Sequence, residues 1–186
     1  QRADFSFTAA EQIINQIAKF RYLSTKQLGI HLVIRMIVGR GWGQGPTHAQ
    51  SPHSLYSHIP GLQVVAPSSP SDGYQLMHSA IECEEPVIFV EHRWLHQITE
   101  NFVPSYSNSS LKNSRIIANG DDITLISLSY GVFECLKIAE VFSKFNIKCE
   151  VINLRSINPI DTEVLLKSVR KTKRAVMWDI GHLNFG

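Results

Sequence analysis

The stretch Gly39-Arg-Gly-Trp-Gly-Gln-Gly-Pro-Thr-His48-Ala-Gln-Ser51 sets four alternating glycines ahead of one histidine. Glycine lets backbone come close to a ligand, and an imidazole moves a proton near neutral pH. The combination is that of a loop that receives a ligand while His48 handles protons. The every-second spacing of the glycines is neither Gly-x-Gly-x-x-Gly nor a loop ending in Gly-Lys-Ser/Thr, so a phosphate cradle is rejected. Taken alone, His48 also reads as a loop histidine bonded to backbone. The other histidines lack HExxH or any comparable ligand spacing and are read as structural or surface groups.

Strands and helices must hold this loop in place. His31-Leu-Val-Ile-Arg-Met-Ile-Val38 is a nearly unbroken β-branched run, the pattern of a strand buried on both faces, and the loop follows it at once. A short helix over residues 54–58 and a strand over 63–66 come next. Ser69-Pro-Ser-Asp72 supplies an N-cap, a proline at the first helical position and a carboxylate at the third, opening a helix with Met77, Ala80 and Ile81 on one face. Pro86-Val-Ile-Phe-Val-Glu91 is a second buried strand. Strand, helix, strand at this spacing implies crossover connections and a parallel sheet. Upstream, Thr8-Ala-Ala-Glu11 has capping-box spacing, and Ala10, Ile13, Ile14 and Ile17 predict an amphipathic helix over residues 9–21.

A polar stretch, Ser105-Tyr-Ser-Asn-Ser-Ser-Leu-Lys-Asn-Ser114, interrupts this alternation and reads as a linker. The pattern then restarts, with strands over 123–127, 148–154 and 175–178 and helices over 132–145 and, opened by Asp161, 161–170. The chain divides into α/β units at 1–100 and 119–186, joined by a linker at 101–118.

Composition narrows the function classes. With 186 residues, 44% hydrophobic and 18% charged, the chain can bury a substantial core. A net charge of +2 and no basic stripe interleaved with aromatics argue against nucleic acid. No apolar run is long enough for a bilayer-spanning helix. Arg170-Lys-Thr-Lys-Arg174 reads as a solvated helix end. Cys83, Cys135 and Cys149 show no Cys-x-x-Cys and read as reduced thiols of a cytosolic protein.

Several segments carry a family likeness in one register: Phe5-Ser-Phe7, Gln12-Ile-Ile-Asn15, Thr47-His48-Ala-Gln50, Ile59-Pro-Gly-Leu62, Val64-Val-Ala-Pro67 and Pro86-Val-Ile-Phe-Val-Glu91. Cys149-Glu-Val-Ile-Asn-Leu-Arg155 and Asn158-Pro-Ile-Asp161 continue it. The chain resembles the beta subunit of thiamine-diphosphate-dependent 2-oxo acid dehydrogenases of the pyruvate and branched-chain types. The resemblance implies a transketolase-like pyrimidine-binding domain followed by a transketolase C-terminal-type domain, both partial. It implies thiamine diphosphate as cofactor, with His48 as the loop histidine facing the substrate side, Phe5 packing on the aminopyrimidine ring, and Gln12 a weaker candidate on the helix below. Mg²⁺ and the diphosphate would be held by an alpha-type partner through a Gly-Asp-Gly motif. Gly120-Asp-Asp122 lacks the second glycine, so no metal ligand is expected in this chain. Backbone carbonyls near Leu32, Ala80, Ile81, Cys83 and Glu85 match a K⁺ site of some members.

An alpha2beta2 assembly acting on a 2-oxo acid, in the cytoplasm or the mitochondrial matrix, follows from the same resemblance. So does an expectation that the chain is a piece of a longer subunit, inactive alone, whose upstream part carries a glutamate touching the aminopyrimidine ring. Two other readings are a transketolase or deoxyxylulose-phosphate synthase, and a non-catalytic assembly partner. The Asp-Gly usually preceding the Thr-His pair of the first is Gln44-Gly45 here. Glu91-His-Arg-Trp-Leu-His96 and Asp179 depart from the family pattern, pointing to a divergent branch.

Overall fold

A computed structural model describes the chain except for residues 26, 102, 103, 105–109, 185 and 186. Much of the expected linker therefore lies outside the described residues. After a 3₁₀ segment (Ala3–Ala9) and a π-helical turn (Gln12–Ile17), the chain runs through α1 (Phe20–Leu23), β1 (Val33–Val38), α2 (Gly45–His48), α3 (His53–Ser57), β2 (Gln63–Val65), α4 (Pro70–Glu82) and β3 (Val87–His92). A 3₁₀ turn (Arg93–Gln97) leads to β4 (Arg115–Ala118), β5 (Ile123–Ser127), α5 (Tyr130–Ser143), β6 (Cys149–Asn153), β7 (Ser156–Asn158), α6 (Thr162–Thr172) and β8 (Ala175–Met177).

Two four-stranded sheets result, ordered β1-β3-β2-β7 and β4-β6-β5-β8. The pairs β1–β3, β2–β3, β5–β6 and β5–β8 are parallel, as the crossover spacing requires, while β7 and β4 add antiparallel edges. Alternation sorts the side chains of the first sheet. Met36, Val38, Ile88 and Val90 enter a core that also contains Tyr56, Leu128, Leu154 and Ile180, so residues from both halves of the chain share it. Val65, Val87 and Phe89 face Leu76 and Ala80 of α4. Leu125 and Val151 of the second sheet pack on Val132 and Cys135 of α5.

Two helix starts form as the sequence predicts. The Ser69 hydroxyl accepts from the Asp72 amide at 3.2 Å, with Pro70 beginning α4. The Asp161 carboxylate accepts from the Val164 amide at 3.4 Å to open α6. The helix expected over residues 9–21 is instead a 3₁₀ segment, a π-helical turn and the single turn α1. Its capping box does not form. The backbone is already helical at Ala10 and Glu11, so Thr8 has no free helix start to cap, and its hydroxyl donates to the Phe5 carbonyl at 2.7 Å. The basic run at the end of α6 is only partly a solvated face, because Lys171 reaches the buried Glu150 carboxylate.

A buried polar network ties α4 to the β6–β7 connection. The Arg155 guanidinium donates through Nε to Asp72 and through Nη1 to the Asn113 carbonyl at 2.9 Å. Asn153 donates to Asp72 Oδ2 at 3.0 Å and to the Ser68 hydroxyl at 2.7 Å. β7 then pairs with β2, so the stretch after Arg155 joins the first sheet. No helix among the described residues is long and apolar enough to cross a membrane.

Candidate active site

The site is built where β1 ends. Gly41, Gly43 and Gly45 adopt φ of +79°, +78° and +74°, a region that side chains disfavour, which accounts for three of the alternating glycines. The turn α2 then carries His48 back toward the start of the chain. That start is pinned to the edge of β1: Ile37 N–H donates to the Gln1 carbonyl at 2.9 Å, and Arg2 pairs with Ile37 in a parallel bridge. Asp4 and Phe5 follow directly in the 3₁₀ segment.

Phe5 and His48, singled out from the sequence, come together here. Their rings stack with centroids 5.5 Å apart and 23° between planes. His48 Nδ1 lies 2.9 Å from Asp4 Oδ2. The ring of Phe5 is half exposed, as is that of His48. Gln12 is exposed on the π-helical turn, and no described contact joins it to Phe5 or His48. Asp4 was not singled out from the sequence. Its only local signal is adjacency to Phe5, and the partnership with His48 depends on the loop folding back.

Beneath the two exposed rings lie buried polar atoms. Asp4 Oδ1 and Arg2 Nη1 are buried without a hydrogen-bond partner, and a Cβ built on Gly39 would sit 3.3 Å from that same Arg2 nitrogen. A histidine-carboxylate pair lies nearby in the chain: His53 Nε2 is 3.0 Å from Asp179 Oδ1. Burial works to raise the Asp179 carboxyl, but the His53 hydrogen bond and charge, the Gly181 amide and Arg40 hold it below its usual range. The residue that departs from the family pattern thus has a defined partner.

At the end of β3, His92 stacks on Tyr130 at 4.9 Å and accepts at Nδ1 from the Trp94 amide at 3.4 Å. Burial, with the nearby His96, pushes its pKa down to about 4, so the ring is neutral at neutral pH. The Tyr130 hydroxyl donates to Glu134 at 2.6 Å, and that bond, with burial, pushes its pKa up to about 12. These groups line a cavity of about 430 Å³ with Arg40, Trp94 and Trp178. The loops after β1, β3 and β8 and the start of α5 thus meet at carboxyl ends of strands, where open α/β sheets bind ligands.

Fold and strand-end site define the class, an α/β protein in which a 3₁₀ segment tied to a parallel sheet and the loop after β1 bring an aromatic ring, a carboxylate and a histidine together. The chain belongs to the family described as transketolase, pyrimidine binding domain, which it matches over residues 1–97; residues 112–186 match the transketolase C-terminal domain. The subunit beta of acetoin:2,6-dichlorophenolindophenol oxidoreductase of Cupriavidus necator is 36% identical over 95% of this chain and 52% of its own length. The pyruvate dehydrogenase E1 component subunit beta-1, mitochondrial, of Oryza sativa is 36% identical over 98% of this chain and 50% of its own. The corresponding subunit beta of Rickettsia felis is 35% identical, over 96% and 55%. The chain spans about half the length of these relatives. A solved split-gene transketolase, titled an inactive beta4 tetramer, superposes with a TM-score of 0.76 at 23% identity, covering 96% of this chain and 55% of that one, a likeness of fold.

Proposed function

We propose that the chain acts as part of the beta subunit of a thiamine-diphosphate-dependent 2-oxo acid dehydrogenase, forming the pyrimidine side of a cofactor site shared with an alpha-type subunit. The observation that carries this reading is the contact between Phe5 and His48, which brings an exposed aromatic face and a proton carrier to one strand end. These residues fit the cofactor's pyrimidine side. One face of Phe5 meets His48, and its exposure leaves area for a flat heteroaromatic ring, a contact worth roughly 0.5–1.5 kcal/mol beyond burial. When bound, the cofactor supplies the electron sink for loss of CO₂ from the 2-oxo acid. His48 holds or moves a proton on the substrate side, and Phe5 orients the ring.

Mg²⁺ and the diphosphate fall to the alpha-type subunit in this reading, and the assembly is alpha2beta2. The named beta-subunit relatives support the alpha-type partner. In this reading the units run over 1–100 and 119–186, and the compartment is the cytoplasm or the mitochondrial matrix. A K⁺ site near Leu32, Ala80, Ile81, Cys83 and Glu85 belongs to the same reading. Replacing His48 by alanine in the assembled enzyme lowers acyl transfer about 10²–10⁴-fold while cofactor affinity changes far less. Unchanged turnover would overturn the role given to His48.

A further inference from the structure

The strand-end cluster holds a carboxylate that the proposed chemistry has not used. Asp4 Oδ2 lies 2.9 Å from His48 Nδ1, and the Asp4 side chain is 14% exposed against 41% for His48. An ionised carboxylate can only accept a hydrogen bond, so the ring nitrogen facing it must carry the proton. Which imidazole nitrogen is protonated is set by the bond made at the other, and a neutral ring with Nδ1–H leaves its lone pair on Nε2. Phe5 restricts the ring from a second direction by stacking on its face, and it is the next residue to Asp4 on the same 3₁₀ segment. That segment is in turn tied to β1 through Gln1 and Arg2. One anchored element therefore controls both the tilt and the tautomer of His48.

We infer that Asp4 is the positioning residue for His48, holding the imidazole as the Nδ1–H tautomer so that Nε2 meets the reacting group. The inference rests on the reading of His48 as the proton carrier. A proton accepted at Nε2 makes an imidazolium beside the Asp4 carboxylate, and the same proton later leaves from the same atom. Asp4 stays ionised throughout and never touches the reacting atoms, the role of the acid in a carboxylate–histidine pair. Asparagine at this position is nearly isosteric but can also donate, which permits the opposite tautomer.

The test is ¹⁵N NMR of the chain labelled at histidine, at a pH where the rings are neutral, with the His48 signals identified by their loss in His48→Gln. The expected result is a protonated Nδ1 and an unprotonated Nε2 in the wild type, shifting toward a protonated Nε2 in Asp4→Asn and restored in Asp4→Glu. A protonated Nε2 in the wild type overturns the inference without any variant having to fold. So does a tautomer identical in wild type and a folded Asp4→Asn. In the complex with an alpha-type subunit, Asp4→Asn lowers kcat about 10²-fold with KM little changed, and Asp4→Glu regains part of the loss. Equal losses in Asp4→Asn and Asp4→Glu, with the tautomer unmoved, make Asp4 merely structural and also overturn it. Failure of thiamine diphosphate to bind strikes the cofactor reading and leaves the tautomer measurement standing.

Discussion

Two pairs of aspartate with a basic side chain hold distant segments together, and they differ most in their access to water. Asp72 and Arg155 have side chains 3% and 1% exposed, joined to Asn153, Ser68 and the Asn113 carbonyl. Asp4 and His48 join segments 44 residues apart, against 83 for Asp72 and Arg155, but His48 is open to solvent and has a ring nitrogen to spare. Burying a charge is costly unless it is paired and hydrogen-bonded, so the Asp72–Arg155 pair is committed to architecture. Its backbone agrees, since Arg155 sits at φ +62° to reach inward. The open pair lies outside the buried core. Similar chemistry thus serves as a clamp at one place and, in the proposed reading, positions a proton carrier at the other.

The largest effect that would break this contrast is expected at the clamp. Asp72→Ala leaves the Arg155 guanidinium buried and unpaired, and should cost about 3–5 kcal/mol, read as a fall in the urea midpoint. Replacing both residues with apolar ones of similar volume should recover much of that loss. A single replacement costing no more than a surface change would remove the distinction between the two pairs.

A second, smaller effect concerns pH. The folded His92 has a pKa near 4 instead of 6.5, so on acidification the unfolded chain takes up a proton that the folded one refuses. Stability therefore falls as pH drops from about 6.5 to about 4 and levels off below that, by up to about 3 kcal/mol. The groups facing His92 are Tyr130, stacked on it, and His96, itself paired with Glu91. His92→Phe should flatten this slope in urea unfolding measured across the window. An unchanged slope would assign it to other groups.

Asp4→Asn should cost under about 1 kcal/mol of stability, because its partner is half exposed. Its effect belongs in turnover. A loss as large as that of Asp72→Ala would make the open pair a second clamp. Smallest of all is Arg35→Gln, which breaks the bidentate contact with Glu91 at 2.6 and 3.0 Å from a 63%-exposed guanidinium. About 0–1 kcal/mol is expected, shrinking with added salt.

The sequence made the regular parts legible. β-branched runs located β1 and β3, and side-chain capping located the starts of α4 and α6, because both signals are local. The segment before α1 was misread as one helix, since apolar spacing at 10, 13, 14 and 17 does not distinguish α from the 3₁₀ and π geometries adopted there. No strand was read at β7, which falls within the unit at 119–186, and only its pairing with β2 places it in the first sheet. Phe5 and His48 were found through resemblance. Asp4, His53 with Asp179, and Asp72 with Arg155 went unnoticed as pairs, because a long-range ion pair leaves no periodicity in a single chain. Asp72 was read only as the third residue of a helix start, although its carboxylate serves Arg155.

The central claim, that this chain forms the pyrimidine side of a shared thiamine site, is tested most directly by titrating thiamine diphosphate and Mg²⁺ into the chain with an alpha-type pyruvate dehydrogenase subunit. The readout is fluorescence of Trp42, which lies in the His48 loop with its ring 4.6 Å from that of Trp94. The account predicts saturable quenching that requires the partner and weakens in Phe5→Ala. Absence of quenching and of retained cofactor in a complex that has formed would contradict it.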